Sequence, residues 1–152
     1  MLTVSEIMTR EPYTLGPDSN LAEARQLMAE HHIRHIPVLS NDGSLVGLVS
    51  QRDVLAAEDS SVVSSQQAID ATDRYVALSS VMTAPVQTVD ERDSLRGTAM
   101  ILQKSKVGCL PVLRDGELVG IITDTDFVAI AIDLMEQLEA QEPPEEEFDD
   151  QG

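Results

Sequence analysis

One stretch occurs twice in this chain, and that repetition constrains the fold more than any other feature. Residues 33–55 read IRHIPVLSNDGSLVGLVSQRDVL, and residues 107–128 read VGCLPVLRDGELVGIITDTDFV. The match extends upstream, because Met8 recurs as Met82 at a spacing of 74 residues, whereas Gly47 and Gly120 are 73 residues apart. The missing residue falls in a turn, where deletions are tolerated. The sequence therefore predicts a duplicated structural unit.

Each copy has the pattern of a helix followed by a β-hairpin. Asn20 and Ser94 stand where a helix N-cap is expected, and apolar residues follow both at helical spacing. Two apolar runs then flank a turn that ends in Gly43 or Gly116, which is the signature of a hairpin. The sequence predicts two helix-and-hairpin units in tandem.

Each hairpin ends in a hydroxyl residue with an aspartate three positions later, as Ser50 with Asp53 and as Thr123 with Asp126. Strand-type residues give way to a helical pattern at this point, so both pairs lie at a strand-to-helix corner. A hydroxyl residue and an acid at this spacing form a capping box, which satisfies helix N–H groups without any ligand. The alternative is that two such corners, related by pseudo-symmetry, face a shared crevice and bind a ligand there.

The ordered and duplicated pattern resembles the tandem cystathionine β-synthase (CBS) domain pair, also called a Bateman module. The Met-Thr opening, the helix, the Pro-Val strand and the Gly-apolar-apolar-Ser/Thr-x-x-Asp corner carry this resemblance. It implies an α/β fold of the α+β type, with two CBS repeats related by pseudo-two-fold symmetry and a small sheet with flanking helices in each. The expected division is repeat 1 at 1–58, a linker at 59–78, repeat 2 at 79–138 and an acidic disordered tail at 139–152.

The resemblance also implies a site for an adenosine nucleotide in the crevice between the repeats. The expected ribose-binding residues are Ser50, Asp53, Thr123 and Asp126. The expected purine pocket is lined by Pro12, Tyr13, Ile36, Pro37, Pro85, Val86, Leu110 and Pro111. The expected phosphate-binding residues are Arg34, His35 and Arg52. A carboxylate suits ribose because it accepts hydrogen bonds from two hydroxyl groups.

The phosphate candidates occur in the first repeat alone. The equivalent positions in the second repeat are Gly108, Cys109 and Thr125, none of which is cationic. The two sites are therefore expected to be unequal. For Arg34, a solvated surface arginine is an equally weighted alternative to a phosphate contact.

The charge balance excludes one class of partner. The chain has 27 acidic and 10 basic residues, a net charge of −17, and its basic residues are scattered. Such a chain repels a nucleic-acid backbone, so nucleic-acid binding is not expected. The longest apolar run is far shorter than the ~20 residues that span a bilayer, and the first residues do not read as a secretory signal. Together with a single cysteine, these features suit a cytoplasmic protein without membrane partners.

No constellation of catalytic residues stands out in the sequence. Cys109 lies in an apolar strand and is interpreted as a small buried hydrophobe, since no local base would activate it. His31, His32 and His35 lack accompanying ligands at metal-binding spacing. We therefore expect no enzyme activity, no catalytic residues, no metal site and no cofactor, with Mg²⁺ present only if a polyphosphate binds.

These observations lead to one hypothesis and two rivals, the second of which is an enzyme that hydrolyses a nucleotide in the crevice. The chain is expected to be a regulatory sensor that binds AMP, ADP, ATP or S-adenosylmethionine and signals to a partner protein in trans. The alternative is a ligand-free scaffold for protein–protein interaction, in which both aspartates are only helix caps. A homodimer is expected in either case, because the last helix has a wide apolar face consisting of Phe127, Ile130, Leu134 and Leu138.

Overall fold

The computed structural model describes residues 1–59 and 74–142. Within these ranges the elements are β1 (Thr9–Arg10), α1 (Leu21–His31), β2 (His35–Leu39), β3 (Leu45–Ser50), α2 (Gln51–Asp59), β4 (Val89–Asp90), α3 (Leu95–Ser105), β5 (Cys109–Arg114), β6 (Glu117–Thr123) and α4 (Asp124–Gln141). A single 3₁₀ turn lies at the start of each repeat, at Val4–Glu6 and at Leu78–Ser80. The predicted α/β class, with small sheets and flanking helices, is confirmed. Residues 60–73 of the predicted linker and 143–152 of the predicted disordered tail lie outside the described residues, whereas residues 139–141, which were assigned to that tail, belong to α4, so the tail prediction is wrong there.

The first helix of each repeat begins at the predicted cap. The Glu23 backbone N–H donates to the Asn20 side chain at 2.9 Å, and the Gly97 N–H donates to the Ser94 hydroxyl at 3.0 Å. Each bond satisfies one of the N–H groups that a helix N-terminus leaves unpaired. The side-chain caps therefore fix the same starting point for α1 and α3.

Both predicted hairpins are present. Strand β2 pairs antiparallel with β3, and β5 pairs antiparallel with β6. The turns contain Gly43 and Gly116 at φ values of +86° and +83°, a conformation that other residues adopt with strain. The two glycines therefore allow the tight turns that set the register of each hairpin.

The opening segment of each repeat joins the sheet of the other repeat. Thr9 pairs with Ile121, so that the larger sheet has the strand order β1-β6-β5-β4. Thr83 forms the equivalent bridge to Leu48. The symmetric exchange ties the two repeats together through backbone hydrogen bonds.

The glycine of the repeated corner motif allows this exchange. A Cβ atom at Gly120 would lie 2.7 Å from the Met8 sulfur and 2.8 Å from the Thr9 carbonyl oxygen. A Cβ atom at Gly47 would overlap the Met82 side chain. The Met-Thr opening of one repeat therefore packs on the motif glycine of the other, which explains why both features recur together.

Two buried clusters form the core, and each contains residues from both repeats. The first consists of Leu21, Ala24, Met28, Ile36, Val38, Val49, Val54 and Leu78. The second consists of Val4, Met8, Val89, Leu95, Leu102, Leu110, Val112 and Ile122. Because Leu78 crosses into the first cluster and Val4 and Met8 cross into the second, neither repeat buries its apolar surface alone.

The last helix begins against the core and ends in solvent. Phe127 and Ile130 pack against the second cluster, whereas Leu134 and Leu138 are 52% and 62% exposed. The apolar face predicted from the sequence is thus divided between the core and the surface. None of the helices in the described ranges has the length and apolarity needed to cross a membrane.

Candidate functional site

The corner of the first repeat is a capping box. The Ser50 backbone N–H donates to Asp53 Oδ2 at 2.9 Å, and the Asp53 N–H donates to the Ser50 hydroxyl at 3.0 Å. Both side chains are half-buried. The reciprocal bonds hold the Asp53 carboxylate in a fixed orientation at the start of α2.

The corner of the second repeat has the same arrangement. The Thr123 N–H donates to Asp126 Oδ2 at 2.8 Å, and the Asp126 N–H donates to the Thr123 hydroxyl at 3.3 Å. In the described part of the chain, the second oxygen of each aspartate, Oδ1, accepts no hydrogen bond. Each corner therefore combines a helix cap with a carboxylate oxygen that remains available to an outside donor.

His35 brings the two corners together. Its backbone pairs with Ser50 across the hairpin, next to the first corner. Its ring reaches the second repeat, because a Cβ atom on Gly108 would lie 3.2 Å from His35 Nε2 and 3.7 Å from Asp124 Oδ2. The crevice expected between the repeats is thus bridged by the imidazole.

The surroundings of His35 favour the neutral ring. Burial lowers the pKa of His35 below its ordinary value of 6.5, and the nearby Arg34 lowers it further. Asp124 and Asp53 act in the opposite direction and raise the pKa, but they do not outweigh burial. At neutral pH the side chain therefore offers one N–H donor and one acceptor nitrogen.

The residue equivalent to His35 in the second repeat is Cys109, which is 2% exposed. Burial raises the pKa of the Cys109 thiol to about 12, and the negative charges of Asp126 and Asp124 act in the same direction. The interpretation of Cys109 as a small buried hydrophobe is confirmed. Its thiol stays protonated at neutral pH and is a poor nucleophile.

Arg34 and Arg52 are both exposed, and neither side chain forms a hydrogen bond or ion pair within the described residues. Arg34 lines a groove of about 430 Å³ between α1 and α2, together with Gln51 and Val54. The groove lies on the helical side of the first repeat. His35 is thus the predicted phosphate contact that the structure places between the corners, and the roles of both arginines stay predictions.

Four of the predicted purine-pocket residues are fully buried: Ile36, Pro37, Leu110 and Pro111. Ile36 and Leu110 belong to the two buried clusters, whereas Pro37 and Pro111, the next residues along each strand, lie on the opposite face. Pro85 is exposed, and Val86 is half-buried. Among the described residues, no strand pairing or hydrogen bond ties this pair to the corners, and the pocket stays a prediction.

Tyr13 and Pro12 lie at the same end of β2 as His35, because Leu15 pairs in parallel with Val38. The Tyr13 ring stacks on the His31 ring at a centroid distance of 3.8 Å and an interplanar angle of 15°. Tyr13 is nevertheless 49% exposed. The ring is therefore held in place and still presents apolar surface to a planar ligand.

Sequence reasoning did not single out Asp124, nor Gly108 as the contact of His35. Asp124 directly follows the repeated Thr123 and corresponds to Gln51 in the first copy, so aligning the two copies would have revealed the substitution. It also lines the groove of about 340 Å³ between α3 and α4, the equivalent of the first groove. The contact between His35 and Gly108 has no local sequence signal, because it depends on how the repeats face each other.

Across residues 1–59 and 74–142, no group of three or more His, Cys, Asp or Glu side chains is arranged to hold a metal ion. Of the three histidines, His31 stacks on Tyr13 and His32 is the C-cap of α1. The candidate site is thus defined by hydrogen-bonding and charged side chains.

The sequence profile of the CBS domain family matches residues 4–60 and 78–133. The chain belongs to the CBS-domain family and contains two copies of the domain. The profile covers both helix-and-hairpin units and both corners.

Solved structures have the same fold. A Vibrio cholerae protein assigned to acetoin utilization is 43% identical, with a TM-score of 0.75, covering 94% of this chain and 99% of that one. CBSX2, whose crystal structure contains AMP, is 28% identical, with a TM-score of 0.73, covering 89% and 99%. A CBS domain pair in complex with 5′-methylthioadenosine and S-adenosyl-L-methionine is 23% identical, with a TM-score of 0.76, covering 88% and 98%. The last comparison supports the fold alone.

Some curated relatives are much longer proteins. The homoserine O-acetyltransferase of Methanocorpusculum labreanum is 33% identical over 123 residues, which are 80% of this chain and 23% of that enzyme. The chain therefore spans about a quarter of that relative. The similarity is to a CBS region and not to the whole enzyme.

Proposed function

We propose that this CBS pair is a regulatory sensor that binds an adenosine-containing nucleotide between its repeats and signals to a partner protein in trans. AMP, ADP, ATP and S-adenosylmethionine share the adenosine group that the corners would recognise. The observation that carries this proposal is the duplicated corner, in which each aspartate keeps one carboxylate oxygen available. A helix cap alone requires only the other oxygen.

The chemistry of the corners suits ribose. Adjacent ribose hydroxyls are two donors, and Oδ1 of Asp53 or Asp126 can accept from them while Oδ2 stays bonded to the backbone. Because the capping box fixes each carboxylate before a ligand arrives, little conformational entropy is lost on binding. The CBSX2 structure supports the ligand class, since that protein contains AMP.

The charged residues indicate where phosphate would bind. Arg34, His35 and Arg52 belong to the first repeat, whereas Asp124 and Asp126 make the second corner acidic. An anionic ligand would therefore place its phosphates toward the first repeat. Mg²⁺ would accompany ATP or ADP as part of the ligand, and the protein itself would need no cofactor.

Thermal unfolding with and without a panel of adenine nucleotides tests the proposal. A ligand at 100 times its Kd adds about 2.7 kcal/mol to the free energy of unfolding, so its melting transition should move clearly upward. Guanosine and cytidine nucleotides are the matched controls. No shift with any adenosine compound would favour the alternative, a ligand-free interaction scaffold.

For the assembly, we propose a homodimer formed through α4. Its exposed apolar residues are Val128, Ile132, Leu134, Met135 and Leu138. They form two adjacent stripes, and the acids Asp133, Glu136 and Glu139 are interspersed among them. A second copy of the same helix is the occupant that this face suits, because antiparallel pairing would bury apolar residues of both copies against each other.

The output is proposed to be regulation and not catalysis, acting on a protein outside this chain in the cytoplasm. The Vibrio cholerae relative supports acetoin utilization as the regulated process, because it matches this chain over nearly its full length. The proposal predicts that this chain restores growth on acetoin in a Vibrio cholerae strain that lacks the relative. A variant with both Asp53 and Asp126 replaced by alanine should fail to restore it.

A further inference from the structure

We propose that the His35 imidazole couples nucleotide binding to proton uptake, so that phosphate-bearing adenosine ligands bind better as pH falls toward 6. The inference rests on the proposed nucleotide site and specifies how that site recognises phosphate. It concerns a single side chain that lies between the two corners.

The His35 ring lies where it contacts both repeats. His35 begins β2 beside the first corner, and its ring packs over Gly108 of the second repeat. The missing side chain of Gly108 leaves the space that the ring occupies, since a Cβ atom there would be only 3.2 Å from Nε2 and 3.3 Å from Cε1. His35 therefore contacts the second repeat where a larger residue at position 108 would exclude it.

Charged groups of both repeats surround the His35 ring. The charged groups around the ring are Arg34 beside it, Asp53 at the start of α2 and Asp124 at the start of α4. Burial keeps the pKa of the ring below 6.5 despite the two carboxylates. The ring is thus mostly neutral near pH 7, with two carboxylates close enough to favour its charged form once another anion arrives.

A bound phosphate group would change the protonation of His35. A phosphate dianion near His35 adds negative charge and favours the imidazolium, which donates from both ring nitrogens. The ring then takes up a proton from solvent as the ligand binds. Adenosine carries no phosphate and has no such effect. The side chain would distinguish phosphorylated from unphosphorylated adenosine in a pH-dependent way.

Calorimetric titration in buffers of different ionisation enthalpy measures this directly. At pH 6.5, AMP binding to the wild type should take up about half to one proton per ligand, whereas adenosine binding should take up close to none. The His35→Gln variant keeps hydrogen-bonding capacity without the charge and should lose the uptake. The matched control is His32→Asn, because His32 is exposed and asparagine tolerates its left-handed backbone. The control should behave like the wild type.

A second measurement follows the ring itself. The chain has three histidines, so the His35 ring signals in a proton NMR titration can be identified by their loss in the His35→Gln variant. AMP should move the His35 titration to higher pH. Equal proton uptake in the wild type and His35→Gln, or an unmoved His35 titration, would overturn the inference while AMP binding itself persists. Absence of binding by any adenosine ligand would instead contradict the proposed function, and the inference with it.

Discussion

In the first repeat the corner continues as Gln51-Arg52 after Ser50, whereas in the second it continues as Asp124-Thr125 after Thr123. The backbone bonds of the two corners are equivalent. The Gln51 N–H donates to the Arg34 carbonyl oxygen at 2.8 Å, and the Asp124 N–H donates to the Gly108 carbonyl oxygen at 3.1 Å. The two repeats thus share the same backbone arrangement at the corner and the same aspartate. The residues between the hydroxyl residue and that aspartate differ in charge.

The last helix of the second repeat, α4, has eighteen residues and extends past the core as an exposed apolar surface. The first repeat thus carries the exposed arginines Arg34 and Arg52, and the second carries the exposed apolar helix. In our proposal, phosphate contact therefore falls to the first repeat and dimer assembly to the second.

Leu134→Glu should have the largest effect, because it places a charge in the proposed helix interface. We expect a folded monomer by light scattering, with native circular dichroism. Gln137→Glu adds the same charge at an exposed polar position of α4 and should leave the dimer intact. A Leu134→Glu variant that keeps the wild-type oligomeric state would show that α4 does not form the interface.

Replacing the cations of the first repeat should weaken the binding of phosphate-bearing ligands. Arg34→Ala or Arg52→Ala removes a charge-assisted bond of about 1.5–3 kcal/mol, so ATP should bind roughly 10- to 150-fold more weakly. Adenosine should be unaffected. Lys106→Ala removes an exposed cation of the second repeat and is the control. Equal losses for ATP and adenosine in isothermal titration would mean that the arginines support the fold.

The motif glycines should differ between the repeats in their tolerance of a side chain. Gly120→Ala meets the Thr9 backbone oxygen, whereas the three atoms nearest to an added Cβ at Gly47 all belong to the Met82 side chain, which can move. We expect a loss of about 2–3 kcal/mol for Gly120→Ala and about 1 kcal/mol for Gly47→Ala in urea unfolding. Gly16→Ala, whose nearest new contact is 3.8 Å away, should change stability by less than about 0.5 kcal/mol. Equal losses at Gly47 and Gly120 would contradict the asymmetry.

The smallest expected effect is a pH dependence of stability from His35. Because folding lowers its pKa below 6.5, the unfolded chain binds more protons in the window between the two values. The contribution of neutral His35 is therefore fully present above pH 6.5 and decreases as pH falls toward the folded pKa. Below pH 6.5, the free energy of unfolding of the wild type should decrease relative to that of His35→Gln. A pH-independent difference in urea unfolding would rule out this linkage.

Much of the fold could be predicted from the sequence because its signals are local. Asn20 and Ser94 cap helices through bonds to residues three positions away, and Gly43 and Gly116 allow the turns. The exchange of opening segments was not predicted. It depends on contacts such as Met8 with Gly120, which are more than 100 residues apart and carry no periodic pattern.

The candidate site was predictable in its repeated part only. The corner pairs follow from the motif, and their cap geometry is present in both copies. Ile36 and Leu110 were expected to line a purine slot, but strand alternation turns their side chains into the cores, where both are fully buried. The contact of His35 with Gly108 and Asp124 required the relative placement of the repeats, which no single-copy pattern encodes.

The central claim is that Asp53 and Asp126 bind ribose in addition to capping helices. Calorimetric titration of adenosine nucleotide into the wild type, Asp53→Ala, Asp126→Ala and the double variant tests it most directly. Each single change should abolish one site, with a loss of about 2–4 kcal/mol, or roughly 30- to 1000-fold in affinity, while removal of the cap lowers stability by about 0.5–2 kcal/mol. The account predicts that the folded double variant binds no adenosine. Full-strength binding by that folded double variant would contradict it.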